Sequence, residues 1–179
     1  MPPGFSVKRA NLTNAKRIPG VHVRSVRTTY QNDLPAAFLS GLRANDTVQE
    51  TRHHVQDPRR CMYVLLHNQR VIGYVEAGIL AVHGEALLIN EYILDAYRDL
   101  GLGACLLLRA VECLLNKNVI VMAGQVAATN ARMQHVCSSK WHGVANGPVQ
   151  MQMGPYIIPG VEYIWQLHVL HARLRQLCP

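Results

Sequence analysis

The chain has 179 residues, 49% apolar and 16% charged, with 18 Lys and Arg against 11 Asp and Glu. That length favours one domain over residues 1–179 with a real core, and the apolar fraction excludes a disordered chain. The formal charge of +7 points to an anionic partner, or else to a solvated surface that is simply basic.

No apolar run approaches the roughly 20 residues of a membrane span, and Met1-Pro2-Pro3-Gly4 opens no signal peptide. A membrane partner is therefore not expected. The five cysteines, Cys61, Cys105, Cys113, Cys137 and Cys178, are odd in number and contain no CxxC pair. They read as reduced thiols of a cytoplasmic protein, not as a disulfide frame or a zinc site.

Phe5 to Ala10 alternate weakly and predict a first strand. Asn11-Leu12-Thr13-Asn14 offers helix-capping side chains, and Val23 and Val26 stand at helical spacing between Val21 and Tyr30. Pro35 opens a short helix through Leu39, and a polar helix runs from Asp46 to Val55, closed by Asp57-Pro58. Cys61 to Leu66, a polar turn at His67 to Arg70, and Val71 to Val75 read as a hairpin. A further strand, Ala86 to Leu94, follows a small-residue turn at His83-Gly84. After a glycine-rich turn, Cys105 to Leu115 is a helix, ended by Asn116-Lys117-Asn118, and Val119 to Ala123 has the pattern of a buried strand. Asn130 to Lys140 is helical. Pro148 to Ile158 and Val161 to Leu170 supply two late strands, the last of which also fits a helix.

The informative unit is Tyr92 to Ala104. A glycine turn at a helix start exposes backbone N–H groups in one direction, and the helix dipole adds partial positive charge, so a pyrophosphate can rest on the backbone. Glycine lets the anion approach, and Arg98 adds a cation. A Gly-x-Gly alone is a weak signal. The three-glycine dinucleotide fingerprint and the Gly-Lys-Ser/Thr of a phosphate loop are both missing.

Arg98, Gly101 and Gly103, with Tyr97 before them and a leucine-rich helix after, resemble the Arg/Gln-x-x-Gly-x-Gly/Ala signature of the GNAT superfamily of N-acetyltransferases. Val21 to Tyr30, Leu34-Pro35, Phe38-Leu39, Asn130-Ala131-Arg132 and Tyr163-Ile164-Trp165 extend the resemblance over nearly the whole chain. It implies an α/β (α+β) fold: a mostly antiparallel sheet of about six or seven strands, flanked by about four helices, with a V-shaped splay between strands 4 and 5. It also implies acetyl-CoA as co-substrate. The pyrophosphate would lie on the amides of Arg98, Asp99, Gly101, Leu102, Gly103 and Ala104. Ile93 and Leu94 would meet the pantetheine and the thioester carbonyl at a strand distortion, where an amide stabilises the oxyanion. Asn130 matches the asparagine that contacts the cofactor arm and also fits a helix N-cap.

The implied reaction is attack by a primary amine, most simply of a small molecule, on the thioester, with a base to take the amine proton and an acid for the leaving thiolate. The tyrosine that usually supplies the acid is replaced by Cys137, and Lys140-Trp141-His142 departs from the usual ending. Cys137 serves as the acid, its reference pKa being about 8.5, or as a small buried apolar residue. Glu91, in an otherwise apolar strand, is the candidate base, with a solvated or arginine-paired strand residue as the plain reading. Glu76 is the reserve, and Tyr30 falls where the acceptor pocket is expected.

His53-His54 point about 100° apart on a helix, and no ligand spacing stands out, so surface histidines and no metal are expected. Met151-Gln152-Met153 reads as alternating strand packing. The alternative function is a catalytically inactive CoA-binding or RNA-binding module of the same fold. Few aromatics and dispersed basic residues argue against a nucleic-acid partner. The apolar run from Val161 to Leu170 offers a surface for a homodimer.

Overall fold

The computed structural model describes residues 1–81 and 84–178; of the turn expected at His83-Gly84, His83 lies outside the described residues. β1 (Phe5–Arg9) passes through Asn11 into α1 (Leu12–Ala15), and the Asn11 and Asn14 side chains each accept the other's backbone N–H as a capping box. α2 (Ile18–Thr29), α3 (Ala36–Gly41), a 3-10 turn (Ala44–Thr47) and α4 (Val48–Gln56) follow before the sheet resumes. β2 (Arg60–His67) and β3 (Arg70–Ile79) form the expected hairpin, whose two turn residues, Asn68 and Gln69, both have positive φ, as the tightest hairpins require. β4 (Glu85–Ile93) leads into α5 (Leu102–Leu115), β5 (Val121–Ala127), α6 (Ala131–His135), a π-helical turn (Val136–Lys140), β6 (Val144–Met153), β7 (Tyr156–Gln166) and α7 (Leu167–Leu177).

One expectation about the end of the chain is corrected: the first late strand is expected to run through residues 154 and 155, but Gly154, with φ +60°, turns the chain there. The last run, which fits a strand or a helix, is divided between them, β7 ending at Gln166 and α7 starting at Leu167. Among the described residues there are seven α-helical segments, and the four longer ones, α2, α4, α5 and α7, match the number expected.

The sheet has seven strands in the order β1-β2-β3-β4-β5-β7-β6, antiparallel except for β4 against β5. Its two faces are both covered. Cys61, Leu65, Val75 and Ala86 face α5 and α7, with Leu106, Leu107, Leu114, Leu170 and Leu174 packed on them. Met62, Val64, Leu66 and Tyr74 face α2, against Ile18 and Val21. Burial on both faces is why β2 reads in the sequence as a continuous apolar run rather than an alternation. In the Val161 to Leu170 run Tyr163, Trp165, Leu167 and Leu170 are buried, while Gln166, His168 and Val169 are exposed.

The expectation of five reduced thiols is also corrected. Cys61 of β2 is bonded to Cys113 of α5, and Cys105 of α5 to Cys178 beyond α7, leaving Cys137 free. Pairing depends on which side chains meet across an interface, and an odd count says nothing about that. The cysteines therefore no longer argue for a cytoplasmic location. Among the described residues no helix is long and apolar enough to cross a membrane.

Candidate active site

β4 and β5 are paired only from Glu85–Val121 to Leu88–Gly124. Beyond that, β4 stays with β3 as far as Ile93, and β5 stays with β7 as far as Ala127, so the two strands part company. The hydrogen-bond pattern shows what lines the gap. Leu94 N–H donates to the Ile72 carbonyl at 2.9 Å, which makes that a hydrogen-bonded pair; by antiparallel alternation, Ile93 and Glu91 turn their N–H and C=O groups away from β3, into the gap. On the other wall, the bonds Leu167 N–H to Ile120 and Ala128 N–H to Pro159 turn Gln125 and Ala127 the same way. The Ile93 and Ala127 carbonyls are already taken, the first by Arg98 Nε at 3.1 Å, the second by Asn130 N–H at 2.9 Å. What remains is a slot with peptide groups facing inward from both sides, the setting in which an extended amide chain replaces a missing strand.

The strand distortion was expected at Ile93 and Leu94; it lies earlier. Glu76 stands opposite Asn90 and Ala77 opposite Leu88, so Ile89 is an extra residue, a β-bulge. An extra residue exchanges the faces of everything after it. Leu88 packs with the α5 side, and without the bulge Glu91 would point toward α2. With it, Glu91 points to α5, and Asn90 and Tyr92 to α2.

The mouth of the slot is the glycine turn. Gly101, the N-cap of α5, has φ +73°, a conformation that an L side chain strains, and Asp99 also has positive φ. Leu102, buried at the base of the turn, anchors it in the core. The first-turn N–H groups of Leu102 and Gly103 have no partner within the helix, whereas Ala104 N–H donates to the Gly101 carbonyl at 3.2 Å, which corrects its expected place in the anion cradle. Arg98 does not stand loose beside the turn: Nε holds the Ile93 carbonyl and Nη2 pairs with Asp95 at 2.7 Å. Asp99 pairs with Arg132 of α6 at 2.7 Å, and that guanidinium holds its carboxyl below the usual range. Asn130 caps α6, its Oδ1 accepting Met133 N–H at 3.1 Å.

Glu91 is not paired with an arginine, which the plain reading allowed, and although the residue is partly exposed its carboxyl is turned inward. Oε1 lies 3.2 Å from where a Cβ on Gly103 would stand, and the buried Oε2 has no hydrogen-bond partner. Burial pushes its carboxyl up to about 8. Cys137, buried in the π-helical turn, has its thiol pushed up by burial and further by the nearby Glu91 charge. Both groups keep their protons at neutral pH.

The α2 face carries the second set. His22 Nδ1 lies 2.7 Å from the Tyr74 hydroxyl, its ring meets that of Tyr92 edge-on at 5.4 Å, and Tyr92 packs against the cluster that holds Tyr30. Burial lowers the His22 pKa and raises those of the three tyrosines, so this cluster is neutral. Glu76, buried on the same face, is held by Arg60, by His54 at 3.0 Å and by Asn90 at 3.2 Å. Its oxygens are occupied, and His54 is not the surface histidine expected. Among the described residues no cluster of three metal-ligating side chains occurs.

The structure thus brings Ile93, Glu91, Gly101, Gly103 and Cys137 to the α5 side of the slot, and Tyr30 to its α2 side. His22 escaped sequence reasoning because a histidine beside an apolar helical stripe carries no motif. Its partners, Tyr74 and Tyr92, come from strands that only the fold brings beneath it.

The sheet, with its single parallel pair splayed open beside a glycine-capped helix, is an α/β architecture shared with solved N-acetyltransferases. The PaiA N-acetyltransferase of Thermoplasma acidophilum, in complex with coenzyme A, superposes with a TM-score of 0.70 at 16% identity, over 90% of this chain and 99% of that one. YncA of Salmonella typhimurium, with its cofactor acetyl-CoA, gives 0.70 at 16% identity, covering 91% and 94%. The ribosomal-protein-alanine N-acetyltransferase of Brucella melitensis gives 0.70 at 16%, covering 90% and 99%. A sequence comparison with curated proteins returns no match. The sequence profile of the acetyltransferase (GNAT) family matches residues 24–143, and the chain belongs to that family.

Proposed function

We propose that the chain is a single domain, residues 1–179, that transfers the acetyl group of acetyl-CoA to a primary amine of a small molecule by direct attack in a ternary complex. The observation that carries this reading is the β4–β5 slot, walled by inward-facing peptide groups and ending on the unpartnered first-turn amides of α5. Amides at both walls match an amide-bearing pantetheine arm, and the Leu102 and Gly103 N–H groups match its pyrophosphate. Ile93 N–H, aimed into the slot, is the group to stabilise the oxyanion that forms as the amine nitrogen bonds to the thioester carbon.

The two faces divide the proton work. As the C–S bond breaks, the leaving thiolate takes a proton from the α5 side, where Glu91, neutral and at about 8, is better matched to a thiol than the more reluctant Cys137. This turns the expected base into the acid. The amine proton leaves on the α2 side, where the neutral His22 imidazole accepts it through the Tyr74 hydroxyl. A primary-amine panel incubated with acetyl-CoA, with free thiol as readout, tests the reading. Thiol release that depends on an amine is expected. Tight coenzyme A binding with no release for any amine would instead leave a binding module.

A further inference from the structure

A second recess lies on the α2 face, between that helix and the upper ends of β3 and β4, with a volume of about 980 Å³. Five cations line it: Lys16, Arg17, Arg24, Arg27 and Arg70. The single carboxylate in the lining, Asp95, is already paired with Arg98 at 2.7 Å. Four of these cations lie within residues 16–27, and the fold brings Arg70 of β3 to them.

The cations are not equivalent. Arg27 is spent on the Leu39, Ser40 and Leu42 carbonyls, where it ties α2 to α3. Arg17 gives one N–H to the Gln69 carbonyl, and Arg24 its Nε to the Gly20 carbonyl, which leaves most of each fork free. The Lys16 and Arg70 side chains have no hydrogen bond or ion pair with any described residue. A second, independent observation comes from Ser25. It lines the same recess at 1% exposure, and its buried Oγ has no hydrogen-bond partner. A buried hydroxyl is ordinarily satisfied, so an orphan beside unspent cations marks a place prepared for an acceptor atom.

The location decides what that ligand is. The coenzyme's pyrophosphate has its own cradle at α5, on the opposite face of the sheet. The recess instead reaches Leu94, one residue from Ile93 and therefore next to the slot from the side where an amine would enter. Resting on the acetyltransferase reading above, we propose that this recess binds the anionic group, a phosphate or a carboxylate, of the acceptor amine. Arg70 and Lys16 hold that anion, Ser25 donates to it, and the amine is thereby aimed over Leu94 at the thioester. The acceptor is then a zwitterion or a phosphorylated amine rather than a simple or polycationic amine.

Two measurements test this on the full chain. Inorganic pyrophosphate is titrated calorimetrically onto protein saturated with coenzyme A, so that the glycine turn is filled. Binding that weakens with salt is expected, reduced at least about tenfold in the Lys16→Ala, Arg70→Ala double variant, with coenzyme A affinity unchanged. No binding, or binding indifferent to the substitutions, overturns the proposal. Thiol release is then compared for ethanolamine against O-phosphoethanolamine, and propylamine against β-alanine. The anionic member of at least one pair is expected to have the higher kcat/KM, by about tenfold or more, an advantage that Arg70→Ala removes through KM. Release from the neutral amines that equals or exceeds that from their anionic counterparts overturns this inference and leaves the acetyltransferase reading standing. No release with any amine overturns both.

Discussion

Replacing Glu91 with glutamine removes a buried carboxyl while keeping its shape, and the cost of that carboxyl can be worked out in advance. Burial lifts its pKa from an ordinary 4.5 to about 8. The dipole of α5, whose first turn lies beside it, favours the charged form by about 0.3–1 kcal/mol, too little to reverse the desolvation. Below pH 4.5 folded and unfolded chains both hold the proton, and stability carries no penalty; between there and about 8 only the unfolded chain releases it, so stability falls as pH rises. The full gap corresponds to about 5 kcal/mol, of which about 3 kcal/mol is lost by pH 7. Urea unfolding of both proteins between pH 5 and 9 is the assay. The wild type should lose stability across that range relative to Glu91→Gln, and the variant should be the more stable protein at pH 8. The same variant should lose about 100-fold in kcat with coenzyme A affinity retained, because a glutamine amide can hydrogen-bond to the thiolate but cannot transfer a proton to it. Parallel stability curves would refute the burial argument and, with it, Glu91 as a neutral acid.

Other outcomes follow from the same structure. Reducing agent should destabilise the fold, since the disulfides close spans of 52 and 73 residues and each is worth about 4 kcal/mol by chain entropy. Urea unfolding with and without dithiothreitol checks this, and the unfolded, unreduced chain should take up one alkyl group, at Cys137. Gly103→Val places a Cβ 3.2 Å from Glu91 Oε1 and its methyls at the slot mouth, and should weaken coenzyme A binding at least about tenfold with the far-UV circular dichroism unchanged. Unaltered affinity in the folded variant would mean that the pyrophosphate does not lie on the α5 amides.

What could be read from the sequence was local. Asn11 and Asn130 announce helix starts because a short polar side chain can satisfy an amide three residues on, and both do so. The glycines at 101 and 103 announce a turn because one has positive φ and the other leaves little room for a Cβ. The β2–β3 hairpin is legible from two apolar runs about a polar turn. What could not be read depends on register and contact. Cys61 meets Cys113 only because β2 lies against α5. Gly154 interrupts what looks like one long strand, since apolar Met151 and Met153 stand before the turn and Tyr156, Ile157 and Ile158 after it. Four of the five cations of the recess fall within residues 16–27, and the fifth, Arg70, joins them only because the β2–β3 hairpin lies against α2. The side of the sheet to which Glu91 belongs turns on one unpaired residue, Ile89, which no periodicity reveals.

That residue has a consequence for how such a domain diversifies. Because the bulge sets the parity of everything that follows it in β4, deleting one residue near Ile89 would move an unchanged glutamate from the α5 side of the sheet to the α2 side, and move the neighbouring tyrosine the other way. On the acid and base roles proposed above, a change in length alone would then hand an unchanged side chain a different step, so two chains with the same residues in this strand need not use them alike.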